Sequence, residues 1–319
     1  SRDQASRPCN DTNKTAGQTT IHPESTATMS GVLVSTSQGA PLIVAARLRR
    51  GKTNSARGVG SLAAEGLATA RRAGATGRLI LRADSAFYGH KICRAAGRAG
   101  AHFSLTARMD AAVRRAIAGI DADAWTPIRY PRAIWEAAED RWISDAEVAE
   151  VRFTAFTSTA HPVTARLIVR RVKRLHPDTV ATGQGELFAD YRHHAIFTDS
   201  PNIMLQAEAD HRRHAIVEQV FADMKDSAMA HLPSGKFAAN AAWLVLATMA
   251  FNLTRAAGAL ASLIHAKART GTIRAQLINI PARLARTGRR LTLHLPKHWP
   301  WQDHWQDLFT AISAPPPTP

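Results

Sequence analysis

A row of ionisable residues recurs along one late stretch of the chain, HRRHAIVEQVFADMK. The row consists of His211, His214, Glu218 and Lys225, separated by steps of three, four and seven residues. On a helix those steps return to nearly the same angle, so the four side chains are expected to form one polar stripe. A second, apolar set recurs at helical spacing and predicts the buried face of the same helix. Its members are Ile216, Val217, Val220, Phe221 and Met224.

Three interpretations of this stripe remain open from the residues alone. The simplest is a solvated helix face, which is what most polar stripes are. The second makes Glu218 a metal ligand and the neighbouring bases a clamp for phosphate, because Lys is a point charge for phosphate and His can donate hydrogen bonds to it. The third is a zinc site through His211 and His214, which is disfavoured because no HExxH pattern accompanies them.

A second acid, Asp84, directly follows a short apolar strand in the stretch LILRADSAFYGH. In an open α/β sheet, ligands gather beyond the carboxyl ends of the strands. A carboxylate at that place suits Mg²⁺ or Mn²⁺, which prefer oxygen ligands. Aspartate is also a good N-cap for a helix that follows. Metal binding and helix capping are equally compatible with this stretch.

The composition points to a polyanionic partner. The 319 residues include 41 Lys+Arg against 25 Asp+Glu, which gives a formal net charge of +16 and a pI near 11.0. Such an excess favours nucleic acid, and after it an anionic membrane surface, because cations that neutralise phosphates release counterions. A basic protein without such a partner is the alternative.

The cysteines and the apolar runs indicate a soluble protein of a reducing compartment. Only Cys9 and Cys93 are present, which argues against a disulfide framework or a zinc site built on cysteines. No signal peptide is visible at the start. The longest apolar run, residues 237–253, is short for a bilayer span and is predicted to be a buried core helix.

The elements that must position the two acids follow from the hydrophobic patterns. GVLVSTS and PLIVAARLR predict a β-hairpin, and the next stretches predict helix, strand, helix and strand up to HFSLTAR. This alternation indicates an α/β sheet with covering helices. Between about residues 121 and 191 the pattern changes to alternating strands, which predicts an antiparallel insertion, and after it the chain is predicted to be mostly helical through about Arg286.

Three segments taken in order resemble the DDE transposases of bacterial insertion sequences, and among them the insertion-sequence family thirteen-eighty. The segments are RADSAFYGH, HRRHAIVEQVFADMK and HLPSGKFAANAAWLVLATMAFNLTR. The resemblance runs from about Met29 to about Leu308. It implies a ribonuclease-H-like α/β core that is interrupted by a β-rich insertion and followed by C-terminal helices.

This resemblance divides the chain into five segments. Residues 1–28 are a disordered or atypical lead-in, 29–120 the first part of the catalytic core, 121–190 the β-rich insertion, 191–290 the second part of the core with C-terminal helices, and 291–319 a C-terminal tail.

The resemblance also implies a catalytic set of three acids around two divalent ions, Mg²⁺ or Mn²⁺. Asp84 matches the second acid and Glu218 the third, so both are expected to be catalytic residues and metal ligands. Related transposases carry Tyr, Arg, Glu and Lys at the same steps of three, four and seven. Here His211 stands at the Tyr position and His214 at the Arg position, and together with Lys225 they are expected to contact DNA phosphate.

The first acid of the set has no match. Residues 1–28 do not resemble the corresponding family segment, and Asp11, in CNDTNK, lacks strand-like surroundings. The resemblance therefore predicts an N-terminally truncated or frame-shifted copy, catalytically weak or inactive but still able to bind DNA.

The function implied by the resemblance is metal-dependent cleavage and strand transfer at insertion-sequence ends. The implied partners are double-stranded DNA, both terminal repeats and target, and a second copy in a homodimer on DNA; no membrane partner is implied. The implied location is the bacterial cytoplasm, at the nucleoid. Two alternatives stay open: a non-catalytic DNA-binding remnant, and a ribonuclease-H-like nuclease without strand transfer.

Overall fold

The structure of the chain, a computed structural model, divides into two compact units. The hairpin unit comprises Ser1–Thr12, Gln18–Thr53 and Ile216–Pro319, and the sheet unit comprises Asn13–Gly17 and Asn54–Ala215. The structure describes residues 12–20, 27–36, 39–50, 56–128, 134–136, 141–143, 146–173, 191–212 and 216–314.

The described residues form a mixed α/β protein. Its strands are β1 (Thr12–Thr20), β2 (Ala27–Ser35), β3 (Leu42–Arg50), β4 (Leu79–Ala83), β5 (His102–Thr106), β6 (Thr126–Ile128), β7 (Ile134–Glu136), β8 (Arg141–Ile143), β9 (Ala146–Ala155), β10 (Val163–Lys173), β11 (Tyr191–Thr198), β12 (Arg283–Thr287) and β13 (Arg290–His294). Its α-helices are α1 (Val59–Arg72), α2 (His90–Arg98), α3 (Ala111–Ala118), α4 (Met204–Arg212), α5 (Ile216–Lys225), α6 (Phe237–Ala261), α7 (Thr270–Ile273) and α8 (Gln302–Ser313).

The sheet unit is built around strands in the order β4–β5–β11–β10–β9–β6. β4 and β5 are parallel and α2 connects them, whereas each later strand in that order is antiparallel to its neighbours. A parallel pair needs such a crossover, while antiparallel strands can be joined by short turns. The predicted alternation of strand and helix and the predicted antiparallel strands after residue 121 are confirmed.

The helix predicted after the hairpin is also confirmed. α1 buries its apolar stripe, with Leu62 and Leu67 almost fully buried. It ends before Gly74, whose φ of 88° lies in the left-handed region that glycine adopts without a steric penalty.

The hairpin unit packs helices α5 and α6 on the antiparallel pair β2 and β3. The register of that pair shifts between Val32 and Leu33, which marks an irregularity in the ladder. Asn252 of α6 accepts a hydrogen bond from the Ile43 amide at 3.0 Å and donates one to the Ile43 carbonyl at 2.8 Å. The α6 side chain therefore satisfies backbone groups of the strand on which the helix packs.

Helix α6 departs from its prediction. It was predicted to be a buried helix, but the buried residues lie along one face only, and Leu246, Met249 and Leu253 are more than half exposed. Among the described residues α6 is long and apolar enough to cross a bilayer by length and composition, a test that core helices also pass. The prediction failed because polar residues of α6, among them Asn252 and Arg255, lie on its packed side, so its hydrophobic pattern does not show which side is covered.

Other predictions differ from the structure at the ends of elements. β1 occupies Thr12–Thr20, where the sequence predicts no regular element; its four threonines favour a strand. The helical prediction through Arg286 is wrong at its end, because β12 begins at Arg283, shortly after Pro281, which cannot continue a helix. Residues 1–11 and 174–190, predicted as irregular, lie outside the described residues.

Candidate functional site

Asp84 is an exposed residue directly after β4, as predicted. Its Oδ1 atom accepts a hydrogen bond from the Ser85 amide and caps the short 3₁₀ turn Ser85–Phe87. The capping interpretation is therefore confirmed. Oδ2 makes no hydrogen bond within the part of the chain that the structure describes, so this oxygen remains accessible to a ligand, and metal binding stays a prediction.

Arg108 braces the turn that follows Asp84. Its guanidinium donates hydrogen bonds to the carbonyls of Ser85 and Ala86, at 3.1 Å and 3.5 Å. This exposed cation therefore lies at the same turn as the candidate acid. Sequence reasoning missed it, because a single arginine after a strand carries no periodic or motif signal.

His211 is held by two hydroxyl groups of β5. Its Nδ1 lies 2.8 Å from Ser104 Oγ and its Nε2 lies 3.0 Å from Thr106 Oγ1, and the residue is 8% exposed. The two hydroxyls can each donate or accept, so they satisfy either neutral tautomer of the ring. A phosphate contact by His211, which remains a prediction, requires one of these hydrogen bonds to be exchanged.

These contacts bring the end of α4 to the carboxyl end of β5, next to the strand end that Asp84 follows. Alternate residues of a strand face the same side, so Ser104 and Thr106 share one face of β5. Arg82 is paired with Ser104 across the parallel ladder, and its Nη1 donates to the Asp210 carbonyl of α4. Asp84 comes two residues after Arg82. Asp84 and His211 therefore both lie at the carboxyl ends of the parallel strands β4 and β5.

A buried acid, Glu208, anchors α4. Its side chain is 2% exposed; Oε1 lies 3.3 Å from Arg170 Nη1 of β10, and Oε2 accepts a hydrogen bond from Arg212 Nε at 2.8 Å. A carboxylate removed from water is costly unless it is paired and hydrogen-bonded, so this contact fixes the orientation of α4. This ion pair could not be predicted from the sequence, because its partner Arg170 lies far away along the chain.

Helix α5 carries the other candidate acid, Glu218, and its buried face agrees with the predicted apolar face. Glu218 and Lys225 are both exposed, seven residues apart and therefore on the same side of the helix. The opposite side is buried against β2, β3 and α6. Its buried members are Val217, Val220, Phe221 and Met224.

The predicted continuous helix from His211 to Lys225 is described as two helices. α4 ends at Arg212 and α5 begins at Ile216, and the two lie in different units. His214 lies outside the described residues. The common polar stripe is therefore seen only for Glu218 and Lys225.

A buried ion pair ties α5 to the helices that follow it. Asp223, 4% exposed, accepts hydrogen bonds at Oδ2 from Arg255 Nη2 and from the Thr270 amide, each at 3.0 Å. Arg255 of α6 also donates to the Ala268 carbonyl. Burial lowers the pKa of Arg255, and the nearby Asp223 carboxylate acts in the opposite direction. Asp223 thus fixes the helix that presents Glu218.

The described residues do not assemble the predicted set of metal ligands within either unit. Asp84 belongs to the sheet unit and Glu218 to the hairpin unit. Among the described residues no group of three or more His, Cys, Asp or Glu side chains is placed to hold a metal ion. β1 contains no acid, and Asp11, just before it, lies outside the described residues. Exposed carboxylates fit Mg²⁺ or Mn²⁺ by donor type, but each unit contributes one of the two predicted ligands.

The chain is similar to a known protein family. The family described as transposase DDE domain group 1 matches residues 36–317, which include both Asp84 and Glu218. None of the curated proteins matches the chain.

We predict that Arg255→Met destabilises the hairpin unit by about 3–5 kcal/mol, because it leaves the buried Asp223 carboxylate without its cation. The free energy of unfolding is measured by urea titration with tryptophan fluorescence. The control is Arg269→Met, at an exposed position, which is expected to change stability by less than about 0.5 kcal/mol.

A double variant, Asp223→Leu with Arg255→Met, separates the charge effect from packing. It is expected to be more stable than Arg255→Met alone, since it removes the carboxylate as well. Equal midpoints for wild type and Arg255→Met would show that the pair does not fix α5.

Stability of the sheet unit is expected to fall as the pH drops from about 6.5 to about 4. His194 of β11 is half-buried opposite Arg170, and burial, followed by the charges of Arg170, Arg192 and His193, lowers its pKa from 6.5 to about 4. In that window the unfolded chain binds a proton that the folded chain does not, so the stabilisation present above pH 6.5 is progressively lost.

The variant His194→Gln tests this assignment. Unfolding free energies are compared at pH 7.5 and 4.5, and the variant is expected to lose less stability than wild type over that interval. His231→Gln, at an exposed position of the hairpin unit, is the matched control. A variant with the wild-type decline would assign the pH dependence to other groups.

Proposed function

The chain belongs to the family of transposase DDE domains of group 1, and from that membership we propose the function of a transposase, metal-dependent cleavage and strand transfer at insertion-sequence ends, with weak or absent catalysis by this chain itself. The observation that carries the proposal is the family match over residues 36–317, because it includes both acids selected from the sequence. The net charge of +16 supports a polyanionic partner. We propose that this partner is double-stranded DNA, both the terminal repeats and the target. Because this DNA lies in the bacterial nucleoid, the proposed location of the protein is the cytoplasm.

We further propose that the fold is a ribonuclease-H-like core of the kind found in the insertion-sequence family thirteen-eighty. Two features support it: the antiparallel pair β2 and β3, and the parallel pair β4 and β5 joined by α2. In this proposal the antiparallel strands β9 and β10 belong to the insertion. The two acids then come from a strand end and a late helix.

In the proposed chemistry Asp84 and Glu218 would hold Mg²⁺ or Mn²⁺, with two ions expected in the complete site. Bound divalent ions would supply a nucleophile at neutral pH and stabilise charge on the leaving oxygen. The residues of the chain do the rest: Lys225 and His214 contact the phosphate beside the cut, and Arg108 holds the turn of Asp84. The two β5 hydroxyls hold His211 at the carboxyl end of β5, so we assign His211 a role in positioning α4 on the sheet in addition to the predicted phosphate contact.

A second candidate function is a DNA-binding remnant without catalysis. It is favoured by the absence of an acid from β1 and of a three-ligand group among the described residues. Such a chain would occupy transposon ends or pair with an intact copy. A nuclease without strand transfer is the third possibility, and joining of the cut end to target DNA distinguishes it from a transposase.

We expect the 319-residue chain to bind duplex DNA but to nick supercoiled plasmid weakly or not at all in Mg²⁺ or Mn²⁺. The reason is that two of the three acids are accounted for. Nicking is measured on agarose gels, with Glu218→Gln as the test variant and Glu65→Gln, an exposed residue of α1, as the control. Robust nicking that Glu218→Gln abolishes and Glu65→Gln does not would show a complete acid set and remove the remnant.

We also propose that two copies pair through the exposed face of α6. Chains with a charge of +16 repel each other, so an interface between copies needs a surface free of charge. Arg255 is the single charged residue among the 25 of α6, and it is buried. The helix is about 37 Å long, which provides one side of an extended apolar contact.

Sedimentation tests this pairing. Wild type is expected to sediment as a dimer, whereas Leu246→Glu with Leu253→Glu is expected to sediment as a monomer, because the paired faces would then bury carboxylates. Ile203→Glu, at a 75% exposed position of the sheet unit, is the control and should remain dimeric. A monomeric wild type, with or without DNA, would rule out pairing through α6.

A further inference from the structure

A groove runs between α1 and α2 of the sheet unit, with a volume of about 610 Å³. Small residues line much of it, among them Gly60, Ala64 and Ala68 on α1 and Ala95 on α2. The two helices approach closely at one point, where a Cβ on Gly60 would lie 3.1 Å from the Lys91 carbonyl oxygen. Because these side chains are small, an extended polymer backbone can enter the groove.

A row of cations borders this groove. Lys91, Arg94 and Arg98 are separated by three and four residues, so they lie along one side of α2. None of the three has a hydrogen-bonded or ion-paired partner within the part of the chain that the structure describes, and α2 contains no acid. Arg71, across the groove, is engaged differently, because it donates to the carbonyls of Ala75 and Gly77 at 2.7 Å and 2.9 Å.

The spacing of the row matches a nucleic-acid backbone. Seven residues of helix separate Lys91 from Arg98, a rise of about 10.5 Å. One strand of B-DNA carries a phosphate about every 3.4 Å of axis, so the row spans about three nucleotide steps. Lys and Arg are the side chains that bind phosphate, and Arg does so with two parallel hydrogen bonds.

The direction of α2 relates the row to the candidate acid. α2 begins at His90, shortly after Asp84, and runs back to the amino end of β5, where that strand starts. Lys91 therefore lies at the end of the helix nearer to Asp84, and Arg98 at the far end. A strand that follows the row leads away from the predicted cleavage position.

We propose that the α1–α2 groove binds the phosphate backbone of DNA that flanks the cleavage position, through Lys91, Arg94 and Arg98. The inference rests on the proposed function for the identity of the polyanion and for the cleavage position at Asp84. DNA is favoured over an anionic membrane, because the large apolar residue that lines the groove, Leu67, is fully buried, and the alanines beside it are too small to insert into lipid.

The test is the salt dependence of DNA binding by the full chain. The affinity for a 30-base-pair duplex is measured at several NaCl concentrations for wild type and for the triple variant Lys91→Gln, Arg94→Gln and Arg98→Gln. Three lost phosphate contacts are expected to reduce the slope of log K against log salt by about 2.7. The matched control removes three exposed cations elsewhere in the sheet unit, by Arg114→Gln, Arg115→Gln and Arg152→Gln, and is expected to keep the wild-type slope.

Two other outcomes would contradict the proposal. Equal slope changes in the triple variant and the control would assign DNA binding to diffuse net charge. A triple variant that loses binding to phosphatidylserine vesicles but not to DNA would make the groove a membrane surface. Should the triple variant unfold, which circular dichroism reports, the single variants Lys91→Gln and Arg98→Gln are each expected to lower the slope by about 0.9.

The proposed catalytic function is judged by a separate readout. A reduced slope without any plasmid nicking, which is the expected result, leaves the groove assigned and favours the DNA-binding remnant over an active transposase. Nicking with an unchanged slope in the triple variant overturns the groove alone.

Discussion

Buried carboxylates paired with arginine fix the helices that carry the candidate functional groups. Glu208 lies between Arg170 and Arg212 and orients α4, on which His211 lies. Asp223 binds Arg255 and the start of α7, and it orients α5, which presents Glu218. Apolar faces alone tolerate small shifts of a helix across its neighbours, because hydrophobic contact is not directional. A buried charge does not, since losing its partner leaves an unpaired ion in the interior.

The surface separates into regions of different charge, which suits the proposed partners. α2 presents a row of cations along a groove lined by small residues, whereas the exposed side of α6 has no charged residue. A polyanion binds the first surface and is not attracted to the second. Two copies of a strongly basic chain repel through the first and can approach through the second. The proposed DNA contact and the proposed contact between copies thus use surfaces of different charge.

The candidate acids are exposed, and that exposure is a condition for their proposed role. Asp84 uses one carboxylate oxygen to cap the turn after β4, and Arg108 braces that turn from outside. Capping immobilises the side chain while the second oxygen remains accessible, which is the arrangement that a metal ligand requires. Glu218 is exposed on a helix whose other face is packed in the core of the hairpin unit. A third acid is the element that the proposed site lacks among the described residues.

The sequence by itself determined the local elements and the faces they bury. The hairpin β2–β3, the succession β4–α2–β5 and the apolar side of α5 were all predictable, because each depends on periodicity within a few residues. Only the tertiary structure decided that His211 is held by Ser104 and Thr106, that Glu208 is buried, and that one side of α6 is left uncovered. Ser104 and His211 are 107 residues apart. A contact of that kind depends on how elements pack, and no pattern within one short stretch of sequence encodes it.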